Sequence, residues 1–290
     1  MQIYRSLDEV VERGSIAPDS IINADCLEAM KFIPDKSIDC IICDLPYGVT
    51  ACKWDVVIPF DLLWEQYKRI IKPNGAIVLF GSQPFTSALV MSNPTWFKYE
   101  WIWEKSNPAN IACANIQPLK YHENIVVFYK EQPTYNRQMI NRSELGRLRL
   151  KNKNNPIRFS GSDIQNEKGT KKDYDIARYD ENKKNPSTVL EIKVERGKIH
   201  PTQKPVKLIE YLAKTYTLEN EIIVDNTAGS GTLAIACINT NRRYICIEKD
   251  PDYFEVMRDR IENHDPNALA TPKKTRKPKA IPEGQLRLFG

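Results

Sequence analysis

No run of this 290-residue sequence approaches the ~20 consecutive apolar residues that a bilayer-spanning helix needs, which excludes a helical membrane protein. The first 19 residues are mixed and charged, so a secretory leader is not expected. No C-x-x-C pair stands beside histidines, and no metal site is expected. Cys40-Ile41-Ile42-Cys43 has the spacing, but its residues read as a strand, and alternation would turn the two thiols to opposite faces. The seven cysteines are odd in number and fall mostly in apolar runs, as at Cys40, Cys43, Cys237 and Cys246. Buried free thiols in a reducing cytoplasm fit better than disulfides. The glycine-rich turn Gly229-Ser230-Gly231-Thr232 lacks a lysine before Thr232, which excludes a P-loop.

What is present is enough apolar residue, 41%, for one large α/β core with an insertion. The net charge of +5 is unevenly placed. Residues 131–199 carry 16 Lys and Arg against 10 Asp and Glu, and residues 271–290 carry 6 against 1. The rest of the chain is therefore net negative. Basic segments outside an acidic body suit a polyanionic partner, although a solvated loop and a loose tail have the same composition.

The chain is organised around Ile38 to Gly48. Ile38 to Cys43 is a short apolar run, the mark of a buried parallel strand. Pro46 cannot continue a ladder and Gly48 permits a turn, so Asp44 and Tyr47 are expected just past the carboxyl end of the strand, where open α/β sheets place ligands. A carboxylate and the Leu45 carbonyl are adjacent fixed acceptors, suited to an NH2 group. Tyr47 offers a flat face for a planar ring. A nucleobase amine fits all three, and so does the plainer reading of a strand end with a packed tyrosine.

Other elements follow from periodicity. Strands are expected at Ser20 to Asn23, Ala76 to Phe80, Phe97 to Trp103, Asn124 to Tyr129, Glu221 to Val224 and Tyr244 to Ile247. Helices are expected at Cys26 to Phe32, at Asp61 to Ile71 ended by Pro73-Asn74-Gly75, after a Ser82 cap, from Pro205 to Tyr216, at Thr232 to Asn239 and at Tyr253 to Asn263. Asp25 is a good N-cap and Thr202 can cap the helix after Pro205. Lys105 to Lys120 reads as a loop that orders on substrate. His122-Glu123 is assigned no chemistry. Asp225 closes a strand where it can take an ammonium group, and Glu248, 17 positions after Gly231, can accept from ribose hydroxyls. A glycine-rich turn alone is shared with dinucleotide and phosphate sites.

Asp44-Leu45-Pro46-Tyr47 resembles the D-P-P-Y motif of the DNA amino-methyltransferases. His200-Pro201-Thr202-Gln203-Lys204-Pro205 and Asp225 through Thr232 resemble that family's two cofactor motifs. The motif order resembles the beta subclass, and the similarity spans about residues 20 to 262. Leu45 replaces the usual proline where only a backbone carbonyl is needed. Thr227 stands where the family has a bulkier residue.

The resemblance implies a Rossmann-like α/β methyltransferase sheet with helices on both faces and an inserted target-recognition region. Residues 1–130 would form the catalytic half, 131–199 the insertion, 200–264 the cofactor half and 265–290 a basic tail. It implies base flipping and methyl transfer from S-adenosyl-L-methionine to N6 of adenine in double-stranded DNA. The alternatives are N4 of cytosine, an RNA or small-molecule methyltransferase, or a non-catalytic DNA-binding module. No Pro-Cys dipeptide offers the nucleophile of a cytosine C5 enzyme.

The implied catalytic residues are Asp44, Leu45, Pro46 and Tyr47. The implied cofactor residues are Asp25, Cys26, His200, Thr202, Gln203, Lys204, Asp225, Thr227, Gly229, Ser230, Gly231, Thr232 and Glu248. Arg142, Arg147, Arg149, Arg158 and Arg178 are candidates for reading DNA. The beta-subclass likeness points to a homodimer. Gln285, Leu286, Leu288 and Phe289 resemble the Q-L-x-L-F peptide that docks on bacterial sliding clamps, here at the end of a flexible basic tether.

Overall fold

The computed structural model describes residues 1–48, 55–144, 182–195 and 203–266. His200, Thr202, Arg147, Arg149, Arg158, Arg178 and the clamp-like residues 285–289 lie outside the described residues. No helix among the described residues is long and apolar enough to cross a membrane.

The strands are β1 (Gln2–Tyr4), β2 (Ser20–Asn23), β3 (Ile38–Cys43), β4 (Ile71–Gly81), β5 (Phe97–Glu104), β6 (His122–Phe128), β7 (Ile140–Asn141), β8 (Lys183–Lys184), β9 (Val189–Glu191), β10 (Ile222–Asp225) and β11 (Arg243–Glu248). Nine of them make one sheet in the order β1-β2-β11-β10-β3-β4-β6-β5-β9. Only β6 runs against its neighbours; every other pairing in this sheet is parallel. Because β6 is reversed, its first residues lie at the same sheet edge as the carboxyl ends of β3, β4, β5, β10 and β11.

The helices are α1 (Leu7–Arg13), α2 (Cys26–Met30), α3 (Phe60–Ile70), α4 (Phe85–Ser92), α5 (Val206–Tyr216), α6 (Thr232–Asn239) and α7 (Pro251–Glu262). They divide between the two sheet faces. Helices α1 to α4 pack on the face that carries Ile41, Cys43, Ile77 and Leu79. Helices α5 to α7 pack on the face that carries Cys40, Ile42, Val78 and Phe80. Cys40 and Cys43 thus enter opposite cores, as strand alternation requires. This is the Rossmann-like sheet, covered on both sides, that the family resemblance implies, built from the buried parallel strands expected of the apolar runs.

Local chemistry explains several boundaries. Asp25 caps α2 by accepting from the Leu27 N–H at 3.0 Å. Asp250 caps α7, where Pro251 occupies the first turn. Helix α3 ends at Ile70, and Ile71 is already extended. Pro73-Asn74-Gly75 therefore does not form a separate terminating turn. It lies within β4, where Ile38 faces Ile71 but Cys40 faces Ala76. The extra residues bulge out, which accommodates a proline that cannot donate to the ladder.

Helix α4 begins at Phe85 and has no side-chain cap; the Ser82 hydroxyl instead receives the Lys120 ammonium. Loop 105–121 is held by its own hydrogen bonds. The Lys105 N–H donates to the Tyr121 carbonyl at 2.7 Å, the Ala109 N–H to Lys120 at 3.0 Å, and the Asn110 side chain spans the loop.

Part of the stretch read as an insertion belongs to the body. Strand β9 is the edge strand beside β5, with Leu190 buried. Asn136 hydrogen-bonds the carboxyl end of α5 through Thr215, Lys214 and Thr217. Arg142 bonds across the β7–β8 pair, its N–H to Asn182 and its guanidinium to the Lys183 carbonyl.

Candidate active site

Strand order places the chemistry. Strands β3 and β10 are adjacent and parallel, so Asp44, just past β3, and Asp225, the last residue of β10, emerge side by side. Chain connections leave β3 and β10 in opposite directions along the sheet, and ligands of open α/β folds bind at such a point. A cavity of about 1220 Å³ opens there. Its lining includes Asp25, Cys26, Asp44, Leu45, Pro46, Tyr47, Gln203, Lys204, Asp225, Thr227, Gly229, Ser230, Thr232 and Glu248. The volume exceeds that of a typical single-ligand pocket, which leaves room for two occupants.

At one end stands Asp44. Its Oδ1 accepts from the Tyr47 hydroxyl at 2.6 Å, and its Oδ2 accepts from the Lys204 ammonium. The Asp44 side chain lines the cavity and keeps 24% of its surface exposed. Burial pushes its carboxyl above the usual range, and the Lys204 charge opposes that rise. The Tyr47 ring packs on Phe85 at 5.0 Å between centroids and 32° between planes. Phe85 opens α4 and fixes the tilt of the aromatic that the sequence assigned to base stacking.

At the other end, three acids stand where neighbouring strands finish. The Asp225 carboxylate accepts the Thr227 N–H at 3.1 Å. Its burial raises the carboxyl pKa to about 7. Glu248 accepts from the Gly229 N–H at 2.7 Å and from the Asp250 N–H at 2.8 Å. Asp25 pairs with Lys249 at 3.1 Å while capping α2. Gly229 and Gly231 both adopt positive φ, 51° and 73°. A Cβ on Gly231 would also stand 2.6 Å from Met257, so only glycine turns the chain into α6 here.

The two ends are tied together. The Thr227 hydroxyl donates to the Asp44 carbonyl at 3.0 Å and lies 2.9 Å from the Cys43 sulfur. The residue that departs from the family pattern therefore latches the glycine turn onto the Asp44 loop. Gln203 lies 3.5 Å from the Ser230 hydroxyl.

Several residues escaped sequence reasoning. Glu123, at the start of β6, accepts from Lys105 at the end of β5 and lies 3.4 Å from the Lys204 ammonium. Lys204 therefore faces Asp44 and Glu123, with Phe80 beneath it at 5.1 Å. The His122-Glu123 pair, next to a strand, was the available signal. Arg260 on α7 donates to Ser230 and Thr232 and clamps the glycine turn, with nothing in the sequence to mark it. Glu195 accepts from the Val206 N–H at 2.7 Å and so supplies a cap for α5 from outside the helix.

The comparisons agree with this geometry. Residues 38–259 match the family model described as DNA methylase. The chain is 26% identical to the type II methyltransferase M.HpaI of Haemophilus parainfluenzae, over 84% of this chain and 74% of that protein. It is also 26% identical to M.HinfI of Haemophilus influenzae, over 86% and 70%. Among solved structures, it resembles the M1.HpyAVI–SAM complex, with a TM-score of 0.54 and 24% identity over 83% of this chain and 98% of that one. The PvuII cytosine-N4-specific DNA methyltransferase gives a TM-score of 0.60 at 14% identity, over 88% and 91%. At these identities the solved structures establish the shared fold. The family match spans the sheet from β3 to α7 and takes in both ends of the cavity: the chain belongs to the DNA methylase family of N6 and N4 amino-methyltransferases.

Proposed function

We propose that this chain transfers a methyl group from S-adenosylmethionine to N6 of adenine in double-stranded DNA, on a base extruded from the duplex. The observation that carries this reading is the single cavity that joins the Asp44-Leu45-Pro46-Tyr47 loop to the Asp225 and Gly229 turn. Asp opening the motif favours adenine, by resemblance to the adenine enzymes of the family.

The residues present fit this cofactor. Asp25, Asp225 and Glu248 present acceptors and negative charge, which suit ammonium, sulfonium and ribose hydroxyls and would repel a phosphate. Asp225 would hold the ammonium, and Glu248 and Asp25 the nucleoside. When bound, the cofactor supplies an electrophilic methyl group on a sulfonium.

The remaining work belongs to the protein. The lone pair of an aromatic amine is delocalised into its ring and is a poor nucleophile. Asp44 and the Leu45 carbonyl each accept one of its N–H bonds, which localises the lone pair and stabilises positive charge as it develops on nitrogen. Both acceptors sit on a loop latched by Thr227, so they need little reorganisation. With the cofactor bound, the amine nitrogen would take the methyl group while the C–S electron pair stays with sulfur and the neutral thioether leaves; the proton then lost from nitrogen would find Asp44 as its adjacent acceptor. Tyr47, braced by Phe85, stacks the extruded ring. Recognition of the surrounding sequence falls to residues 131–199, whose basic composition suits phosphates and base edges.

Nucleoside mass spectrometry of host DNA, with and without the expressed chain, tests the reading. N6-methyladenine is expected only with the chain. N4-methylcytosine instead would reassign the target, and no modified base would overturn the proposal.

A further inference from the structure

Asp44 does not meet the cavity alone. Four charged side chains from four elements line up there: Asp44 after β3, Lys204 before α5, Glu123 opening β6 and Lys105 after β5. Both ammonium groups and the Glu123 carboxylate are largely buried, with side-chain exposures of 8% for Lys204, 13% for Lys105 and 15% for Glu123. Two acids and two bases sum to zero, which is how a buried cluster of this size stays charged. Lys204 lies in the segment that resembles a cofactor motif, yet its ammonium bonds the carboxylate of the opposite end of the cavity.

We propose that Lys204, held by Glu123, is a positioning residue that keeps the Asp44 carboxylate ionised and oriented for the target amine. This assignment rests on the reading of Asp44 as the amine acceptor. Fixing Oδ2 through Lys204 and Oδ1 through Tyr47 sets the plane of the carboxylate, and each oxygen retains a second lone pair for the substrate. A protonated Asp44 would become a donor and lose that capacity.

Each group that faces Asp44 has a definite sign. Burial, Glu123 and nearby Asp225 all favour its neutral form, and Tyr47 and Lys204 favour its charged form. Among the described residues, Lys204 is the cation that acts most strongly on Asp44. The ammonium itself stays charged, because Asp44 and Glu123 outweigh its burial. Glu123 is held below the usual carboxylate range by Lys204 and Lys105 in spite of its burial.

The two partners therefore predict opposite shifts. Lys204→Met removes the cation, and the acid limb of the kcat profile moves to higher pH. At neutral pH, kcat falls on the order of 100-fold, and part of the loss is recovered in alkali. Glu123→Gln keeps an acceptor for Lys204 and removes a negative neighbour, so the acid limb moves to lower pH. Lys204→Arg restores the wild-type limb. The cofactor Kd of Lys204→Met stays within about threefold of wild type, as expected of a side chain on the base side.

The carboxyl of Asp44 is followed in parallel by 13C NMR of the full chain labelled at aspartate Cγ. This reads the titration even if the wild type transfers no methyl group, an outcome that would count against the proposed function and not against this assignment. Unchanged titration of Asp44 in Lys204→Met, or a weakened cofactor with an unmoved acid limb, would overturn the assignment. If Lys204→Met does not fold, Glu123→Gln decides, and an unmoved or raised Asp44 titration in it overturns the proposal.

Discussion

Asp44→Ala abolishes methyl transfer while cofactor binding survives. Removing a preorganised group that stabilises transition-state charge costs about 10²–10³ in kcat, and Asp44 is also half of the pair of acceptors that aims the nitrogen. The cofactor Kd stays near wild type, because Asp25, Asp225, Glu248 and the glycine turn lie at the other end of the cavity. The substitution also strips Lys204 of its closer partner. Glu123 remains, so the expected stability loss is about 1–3 kcal/mol rather than that of a fully orphaned charge. Asp44→Asn, which keeps an acceptor for Lys204, separates the two effects. It melts near the wild-type temperature and is still impaired in transfer. Full activity in either variant would remove Asp44 from the mechanism.

Asp225→Asn is expected to trade cofactor binding for stability. Burial raises the Asp225 carboxyl to about 7, against an ordinary value of 3.8. A carboxyl raised on folding holds its proton in the native state between those values, while the unfolded chain has already lost it. Stability contributed by this group therefore falls as pH rises from about 4 to about 7 and stays low above that. The amide cannot ionise and can still accept the Thr227 N–H. The variant should gain roughly 2–4 kcal/mol over wild type at pH 8, with the gain fading toward pH 4. Urea denaturation of the cofactor-free protein across that range measures it. In the same variant, loss of a charged hydrogen bond to the cofactor ammonium weakens binding about 10–100-fold. A variant no more stable at pH 8 than at pH 4, relative to wild type, would contradict the buried, protonated carboxyl.

The contrast between Asp44 and Glu123 shows what could be seen in the chain beforehand. Ile38 to Cys43 is a continuous apolar run that stops at an acid, and a parallel strand buried on both faces leaves that signature. The same pattern exposed β2, β10 and β11, and with them Asp25, Asp225 and Glu248, because each acid ends its strand or stands within two residues of its end. Glu123 stands at the beginning of a strand. Only the reversal of β6 against β4 brings it to the ligand edge, and strand direction is not written in local periodicity.

Lys204 shows a related limit. Its motif was legible, but the partner of its ammonium, Asp44, is 160 residues away in the chain. Pro73-Asn74-Gly75 carried a strong turn signal and folded as a bulge inside β4, since pairing with β3 outweighed local preference. Arg260 and Glu195 act through backbone groups of distant elements, which no spacing rule records.

The central claim is that Asp44 and the Leu45 carbonyl grip an extruded amine beside the cofactor. A structure of the chain with its duplex and a non-transferable cofactor analogue tests it most directly. The account predicts a base out of the stack against Tyr47, with its amino nitrogen within about 3.2 Å of both the Asp44 carboxylate and the Leu45 oxygen. A target base still stacked in the duplex, or an amine held by other groups with Asp44 turned away, would contradict it.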